Sequence, residues 1–98
     1  MTQRTAGSTP TSTGAGDTVG VRYFAGAAAA AGVEEERVAL PAGATVGDLV
    51  AAVGAARGAD LTRVLAACSF LLDGVAADRA DVLPAGAVLD VLPPFAGG

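Results

Sequence analysis

The sequence predicts an α+β roll, in which one mixed sheet of four or five strands carries a single main helix across it. Three observations predict it. Short apolar stretches with strand alternation open and close the ordered part of the chain, at Val19–Phe24 and Val88–Leu92. A helix with both ends signalled lies between them, and Asp73-Gly74 is a two-residue hairpin signal.

Residues 1–18 stand outside this frame. Met1 to Asp17 is rich in Thr, Ser and Gly and nearly lacks large apolar side chains. It cannot bury enough surface to offset its ordering entropy, so a flexible extension is expected there. The domain is expected over residues 19–92 and a flexible tail over 93–98. In Val19-Gly20-Val21-Arg22-Tyr23-Phe24 the odd positions are apolar, until Phe24 puts an aromatic ring on the face of Arg22. Ala25 to Ala31 has high helix propensity and Gly32 suits the position after a helix end. Glu34-Glu35-Glu36 reads as a solvated turn leading to a second strand, Arg37 to Leu40. No further ligand cluster accompanies the triplet, which argues against a metal site. Pro41-Ala42-Gly43 turns the chain.

Thr45 can cap the main helix, with Asp48 completing a capping box. Val46, Leu49, Val50 and Val53 form one apolar stripe, and Arg57-Gly58 closes the helix with a cation and a glycine. Leu61 to Ala67 fits either a short helix or a turn. Ser69 to Leu72 reads as a strand, Asp73-Gly74 as a type I′ turn and Val75 to Ala77 as a short return. A polar connection over Asp78 to Val82 and a turn at Pro84-Ala85-Gly86 lead to the last strand, Val88 to Leu92.

Composition narrows the function. The 98 residues contain no histidine and one cysteine, Cys68. That removes Ser-His-Asp and Cys-His nucleophile pairs, an internal disulfide and Cys-rich zinc sites. Cys68 lies in an apolar run and reads as a packed, inert thiol. The formal net charge is −4, all six cations are arginines, and they form no basic stripe. Nucleic acid is therefore not an expected partner. No apolar run is long enough to span a bilayer and the N-terminus lacks a secretion-signal core, so a cytoplasmic location is expected.

Strand phase adds a surface. Asp90 marks one face of the last strand as exposed, which sends Leu89 and Val91 to the core and leaves Leu92 beside Asp90. Arg22 likewise assigns Phe24 to the outside. If the first and last strands are neighbours, Phe24 and Leu92 form an apolar patch, a common mark of a protein-binding surface.

That strand runs into Pro93-Pro94-Phe95-Ala96-Gly97-Gly98. The two prolines favour an extended course, and six extended residues reach roughly 20 Å. Gly97 and Gly98 make a tip thin enough for a narrow channel, with the α-carboxylate of Gly98 as the exposed group. A frayed terminus is the competing reading.

Four stretches, VRYFAGAAAAAG at 21–32, LPAGATVGDLVAAV at 40–53, LLDG at 71–74 and AGAVLDVLPPFAGG at 85–98, resemble the ubiquitin-like sulfur carriers of the ThiS/MoaD family. Within that family the chain is most similar to the small subunits of molybdopterin synthase. The resemblance implies a β-grasp fold and a cosubstrate rather than an enzyme. An adenylating enzyme would use ATP to activate the Gly98 carboxylate, and a sulfur donor would convert it to a thiocarboxylate. The tail would then deliver sulfur to a pterin precursor inside the large catalytic subunit, in molybdenum cofactor biosynthesis. The resemblance implies no cofactor or metal bound by the chain itself. It places the activated position at Gly98, the narrow approach at Gly97, and the partner-binding tail at Pro93, Pro94, Phe95 and Ala96. Docking positions fall at Phe24 and Leu92, and a third falls near Ala76. Alanine is smaller there than the family's usual aliphatic residue, and Val75 can compensate.

Other readings use the same activated tail. Thiamine-type carriers resemble the chain in the core and the Gly-Gly end, whereas the Ala25–Ala31 helix and Pro93-Pro94 favour the molybdopterin branch. Carriers for cysteine synthesis or tRNA thiolation remain open, as does a ubiquitin-like modifier that joins Gly98 to target lysines. A binding module with an inert tail is the remaining class.

Overall fold

The computed structural model describes residues 16–94, so most of the expected N-terminal extension and the tail residues Phe95 to Gly98 lie outside the described residues. The elements are β1 (Gly16–Tyr23), α1 (Ala25–Ala31), β2 (Glu35–Pro41), α2 (Val46–Arg57), α3 (Ala59–Leu65), β3 (Ser69–Leu72), β4 (Val75–Ala77) and β5 (Val88–Leu92). β1 starts before the alternation that announces it, because Gly16, Asp17 and Thr18 pair with Pro41, Leu40 and Ala39. Ladder bonds are made by backbone groups and need no apolar side chain.

The five strands form one mixed sheet in the order β2-β1-β5-β3-β4. β1 runs parallel to β5 and every other pair is antiparallel. A parallel pair needs a long crossover, and everything from α1 to β4 supplies it. The first and last strands are thus central neighbours, with Val21 opposite Leu89 and Tyr23 opposite Val91. The helices share one core with a single face of this sheet. Val19, Val21, Tyr23, Phe70, Leu89 and Val91 meet Ala27 and Ala31 of α1, Val46, Leu49 and Val53 of α2, and Leu61 and Leu65 of α3.

Local chemistry explains the boundaries. The Thr45 hydroxyl accepts the Asp48 N–H at 3.1 Å while the Asp48 carboxylate accepts the Thr45 N–H at 2.9 Å, the reciprocal box expected at the start of α2. The ambiguous segment after Gly58 is a helix, since Leu61 and Leu65, one turn apart, both drop into the core. Asp73 and Gly74 have φ of 49° and 85°, the two left-handed positions a type I′ turn requires. The Asp73 carboxylate also accepts the Val88 N–H at 2.9 Å, tying the hairpin to β5.

Ala25 opens α1 with φ of 50°. A Cβ in that region costs free energy that glycine avoids. Ala25→Gly is therefore expected to raise unfolding stability by about 1 kcal/mol, read as a higher urea midpoint at unchanged m.

The glutamate triplet differs from a solvated turn. Glu35 and Glu36 belong to β2, and alternation turns Glu36 inward. Arg57 binds its carboxylate through Nε at 2.7 Å and Nη2 at 2.8 Å, and also donates through Nη1 to the Ala31 carbonyl at 2.9 Å. The Tyr23 hydroxyl donates to the same carboxylate. The Arg57 hydrogen bonds hold the Glu36 carboxyl below its ordinary pKa, against the upward push of partial burial. Burial first, then the bond to Glu36, pushes the Tyr23 phenol above its ordinary range. A depressed carboxyl stabilises the fold above its unfolded pKa of about 4.3, and the contribution is lost as pH falls through the folded value. Glu36→Gln should be less stable than the parent at pH 7 and lose less stability on acidification to pH 3, as measured by urea unfolding.

Candidate functional site

The sheet face opposite the helices begins with β5, which brings Pro93 out from between β1 and β3. Leu89 and Val91 are buried among the core residues, as the phase of the strand requires. Leu92 is half-buried and sits opposite Ser69 of β3. Pro93 is half-buried and Pro94 exposed. Phe24 follows β1 in an extended conformation, donates its N–H to the Val91 carbonyl at 3.2 Å, and keeps 37% of its surface exposed. β1 and β5 are adjacent and in parallel register, so Phe24 and Leu92 end the two strands on one face at the root of the tail.

One row crosses all five strands beneath them. Its positions are Glu35 on β2, Arg22 on β1, Asp90 on β5, Leu71 on β3 and Ala76 on β4. The row is charged at one end and apolar at the other. Asp90 lies on the outward face but is not solvated, since only 7% of it is exposed. Arg22 covers it, donating through Nε to Oδ1 at 2.7 Å and through Nη2 to Oδ2 at 3.0 Å. This fork is the strong bidentate geometry of an arginine–carboxylate pair. The Arg22 guanidinium carbon also lies 5.8 Å from the centroid of the Phe24 ring. Hydrogen bonding to Asp90 raises the Arg22 pKa further, and the charge of Glu35 contributes in the same direction.

The row shows which residues share a face with Ala76, the third expected docking position. Ala76 pairs with Leu71 and shares its face, whereas Val75 pairs with Leu72 and points to the opposite side of the sheet at the exposed edge. Val75 is 69% exposed but cannot compensate for Ala76 on the Phe24 face. The larger aliphatic group beside Ala76 is Leu71, which sequence reasoning missed. Its signal was present, because a two-residue turn at Asp73-Gly74 fixes Leu71 opposite Ala76, and Phe70 in the core sends Leu71 outward.

Cys68 is half-buried and its Sγ–H donates to the Val64 carbonyl at 3.2 Å. Burial pushes the thiol pKa up, although the Arg79 charge opposes it. A raised pKa leaves little thiolate for chemistry. Among the described residues no group of His, Cys, Asp or Glu could hold a metal ion, and no helix is long and apolar enough to cross a membrane. Phe95, Ala96, Gly97 and Gly98 lie outside the described residues.

The geometry has clear relatives. The crystal structure of small archaeal modifier protein 1 from Haloferax volcanii matches with 31% identity and a TM-score of 0.74, covering 82% of this chain and 100% of that one. A Pyrococcus furiosus protein described as subunit 1 of a molybdopterin converting factor matches with 26% identity and a TM-score of 0.67, over 81% of this chain and 99% of that one. Subunits 1 and 2 of the molybdopterin-converting factor from Helicobacter pylori form a complex that also contains the fold, with 24% identity and a TM-score of 0.61 over 83% of this chain and 99% of that one. No curated protein matches the chain by sequence. The model of the ThiS family matches residues 21–98, which include the Pro-Pro step and the Gly-Gly end. The chain belongs to the ThiS family of ubiquitin-like, β-grasp carrier proteins, which are not themselves catalysts.

Proposed function

We propose that the chain is a carrier whose Gly98 carboxylate is activated by adenylation and then passed on as a thiocarboxylate or as an acyl group. The observation that carries the reading is a family match that runs through Gly98, on a chain whose central strand β5 leads directly into the tail beside Phe24 and Leu92. In the first step a carboxylate oxygen attacks the α-phosphorus of ATP on a separate adenylating enzyme, and pyrophosphate leaves. The resulting mixed anhydride has a good leaving group. A sulfide from a sulfur donor displaces AMP to give the thiocarboxylate, or a target amine displaces it to give an amide. The carrier supplies the terminus and a docking face made of Phe24, Leu71, Ala76 and Leu92, while ATP is bound by its partner.

Identity to an archaeal modifier over that protein's full length supports a modifier or general sulfur carrier more strongly than the molybdopterin branch. The Ala25–Ala31 helix and the Pro93-Pro94 step do not outweigh it. A second reading, small subunit of molybdopterin synthase, rests on the Pyrococcus furiosus match and adds a large catalytic subunit as partner. Intact-mass analysis after incubation with an adenylating enzyme, ATP and sulfide tests the first step. Exchange of one oxygen for sulfur at Gly98 is the expected result, and a terminus that stays unmodified would overturn the reading. Conversion of a pterin precursor by the thiocarboxylated chain together with a large subunit would establish the second reading. Target lysines joined by an amide bond to the C-terminal peptide of this chain through Gly98 would establish the modifier.

A further inference from the structure

We infer that Arg22 is a specificity determinant of the tail-side face, which it tunes to a partner offering an uncharged hydrogen-bond acceptor, such as a backbone carbonyl, within an apolar socket. The inference rests on the docking role proposed above and adds the chemistry of the surface that docks.

The Arg22 fork uses Nε and Nη2 on Asp90, and Nη1 has no hydrogen-bond partner among the described residues. The side chain is nevertheless placed. Its guanidinium is fixed at one edge by Asp90 and flanked by the Phe24 ring, while half of its surface, 53%, stays open to solvent. The Phe24 ring borders this open edge and Leu92 ends the neighbouring strand on the same face, while along the row Glu35 lies on one side of Arg22 and Leu71 and Ala76 lie beyond Asp90 on the other. A partner that covers Phe24 and Leu92 therefore also removes water from Nη1. Burying a guanidinium donor without an acceptor costs free energy, so a wholly apolar socket is penalised.

The charge of the acceptor follows from what already faces the guanidinium. Asp90 neutralises Arg22 by direct contact, and Glu35 stands opposite Arg22 in the β1–β2 register. Two carboxylates share one cation, and a third would meet net negative charge. A carbonyl or carboxamide oxygen satisfies Nη1 without that repulsion. The pair is also not required for packing, because an ion pair at such a position can be replaced by apolar groups with little loss of stability. Removing only Arg22 differs, since it would leave Asp90 buried without a partner.

The test is the adenylation of the full chain by the adenylating enzyme from its own source, followed as pyrophosphate release against carrier concentration. Two variants are informative. Arg22→Met combined with Asp90→Leu removes the pair together, and Arg22→Lys keeps a cation for Asp90 while removing the outward Nη1 donor. Both are expected to fold with a near-parental Tm and to raise the KM for the carrier about tenfold, with kcat unchanged. Phe24→Ala serves as a reference for the docking face and should raise KM as well. An unchanged KM in Arg22→Lys, with KM raised in Phe24→Ala, would overturn this inference alone. KM unchanged in both would overturn the docking face, and no adenylate on the parent chain would overturn the carrier reading and this inference with it.

Discussion

Deletion of Gly97 and Gly98 is expected to abolish thiocarboxylate formation at the chain terminus while leaving the unfolding midpoint unchanged. The two halves of that result have different physical origins. The core closes with Leu89 and Val91, and Leu92 is only half-buried, so the core of the described residues is complete before the tail begins. The chemistry behaves differently. A terminus ending at Ala96 still has a carboxylate, but it lies two residues short of the full reach, about 7 Å less. The Cβ of Ala96 also thickens the tip where glycine passes. Intact-mass analysis after incubation with adenylating enzyme, ATP and sulfide checks it, and a truncated chain that still acquires sulfur would remove Gly98 from the proposed role. The lysine-free composition has a related consequence. An activated chain offered no target has no side-chain amine to attack, so self-linked multimers through lysine cannot form.

Leu49→Ala should produce the largest change in stability. Leu49 is fully buried on α2, at the centre of the stripe that meets the sheet. Truncating such a leucine costs about 2–5 kcal/mol, the lost transfer energy plus the cavity left behind. A small domain has roughly 5–15 kcal/mol in total, so this variant sits near the threshold of folding. Tm is expected to fall by roughly 10–20 °C, with a matching drop in urea midpoint. Leu71→Ala is the informative contrast. Leu71 is half-buried on the open face, so its loss should cost much less stability and weaken docking instead.

The elements of the fold were legible because each carries a local signal. Thr45 and Asp48 name the start of α2, Asp73-Gly74 names the hairpin, and the phase of Val88–Leu92 names the strand that borders the tail. Such signals depend on neighbours within a few residues. The segment Leu61 to Ala67 was ambiguous for the same reason. Two leucines one turn apart are too short a pattern to separate a helix from a turn, and burial against α2 and the sheet resolves it. Glu36 was misjudged as part of a solvated turn because its partners, Tyr23 and Arg57, lie in β1 and α2. The face of Phe24 and Leu92 is legible from strand phase, but the expectation that Val75 compensates for Ala76 does not fit the register, which puts Leu71 beside Ala76 instead. Both placements depend on cross-strand register, which a two-residue turn determines only once the alternation is counted through it.

The sequence by itself determined the family, the order of every element except α3, the inward set of β5 and the Gly-Gly end, because these are properties of short segments read in order. Only the tertiary structure decided that Asp90 is buried under Arg22, that Leu71 and Ala76 complete the open face, and that Arg57 ties α1, β2 and α2 together. Arg22 and Asp90 are 68 residues apart along the chain. Their contact exists because β1 and β5 lie parallel and adjacent in the sheet, joined by their own ladder and shared core, a pairing that needs the long crossover between them and that no short segment announces.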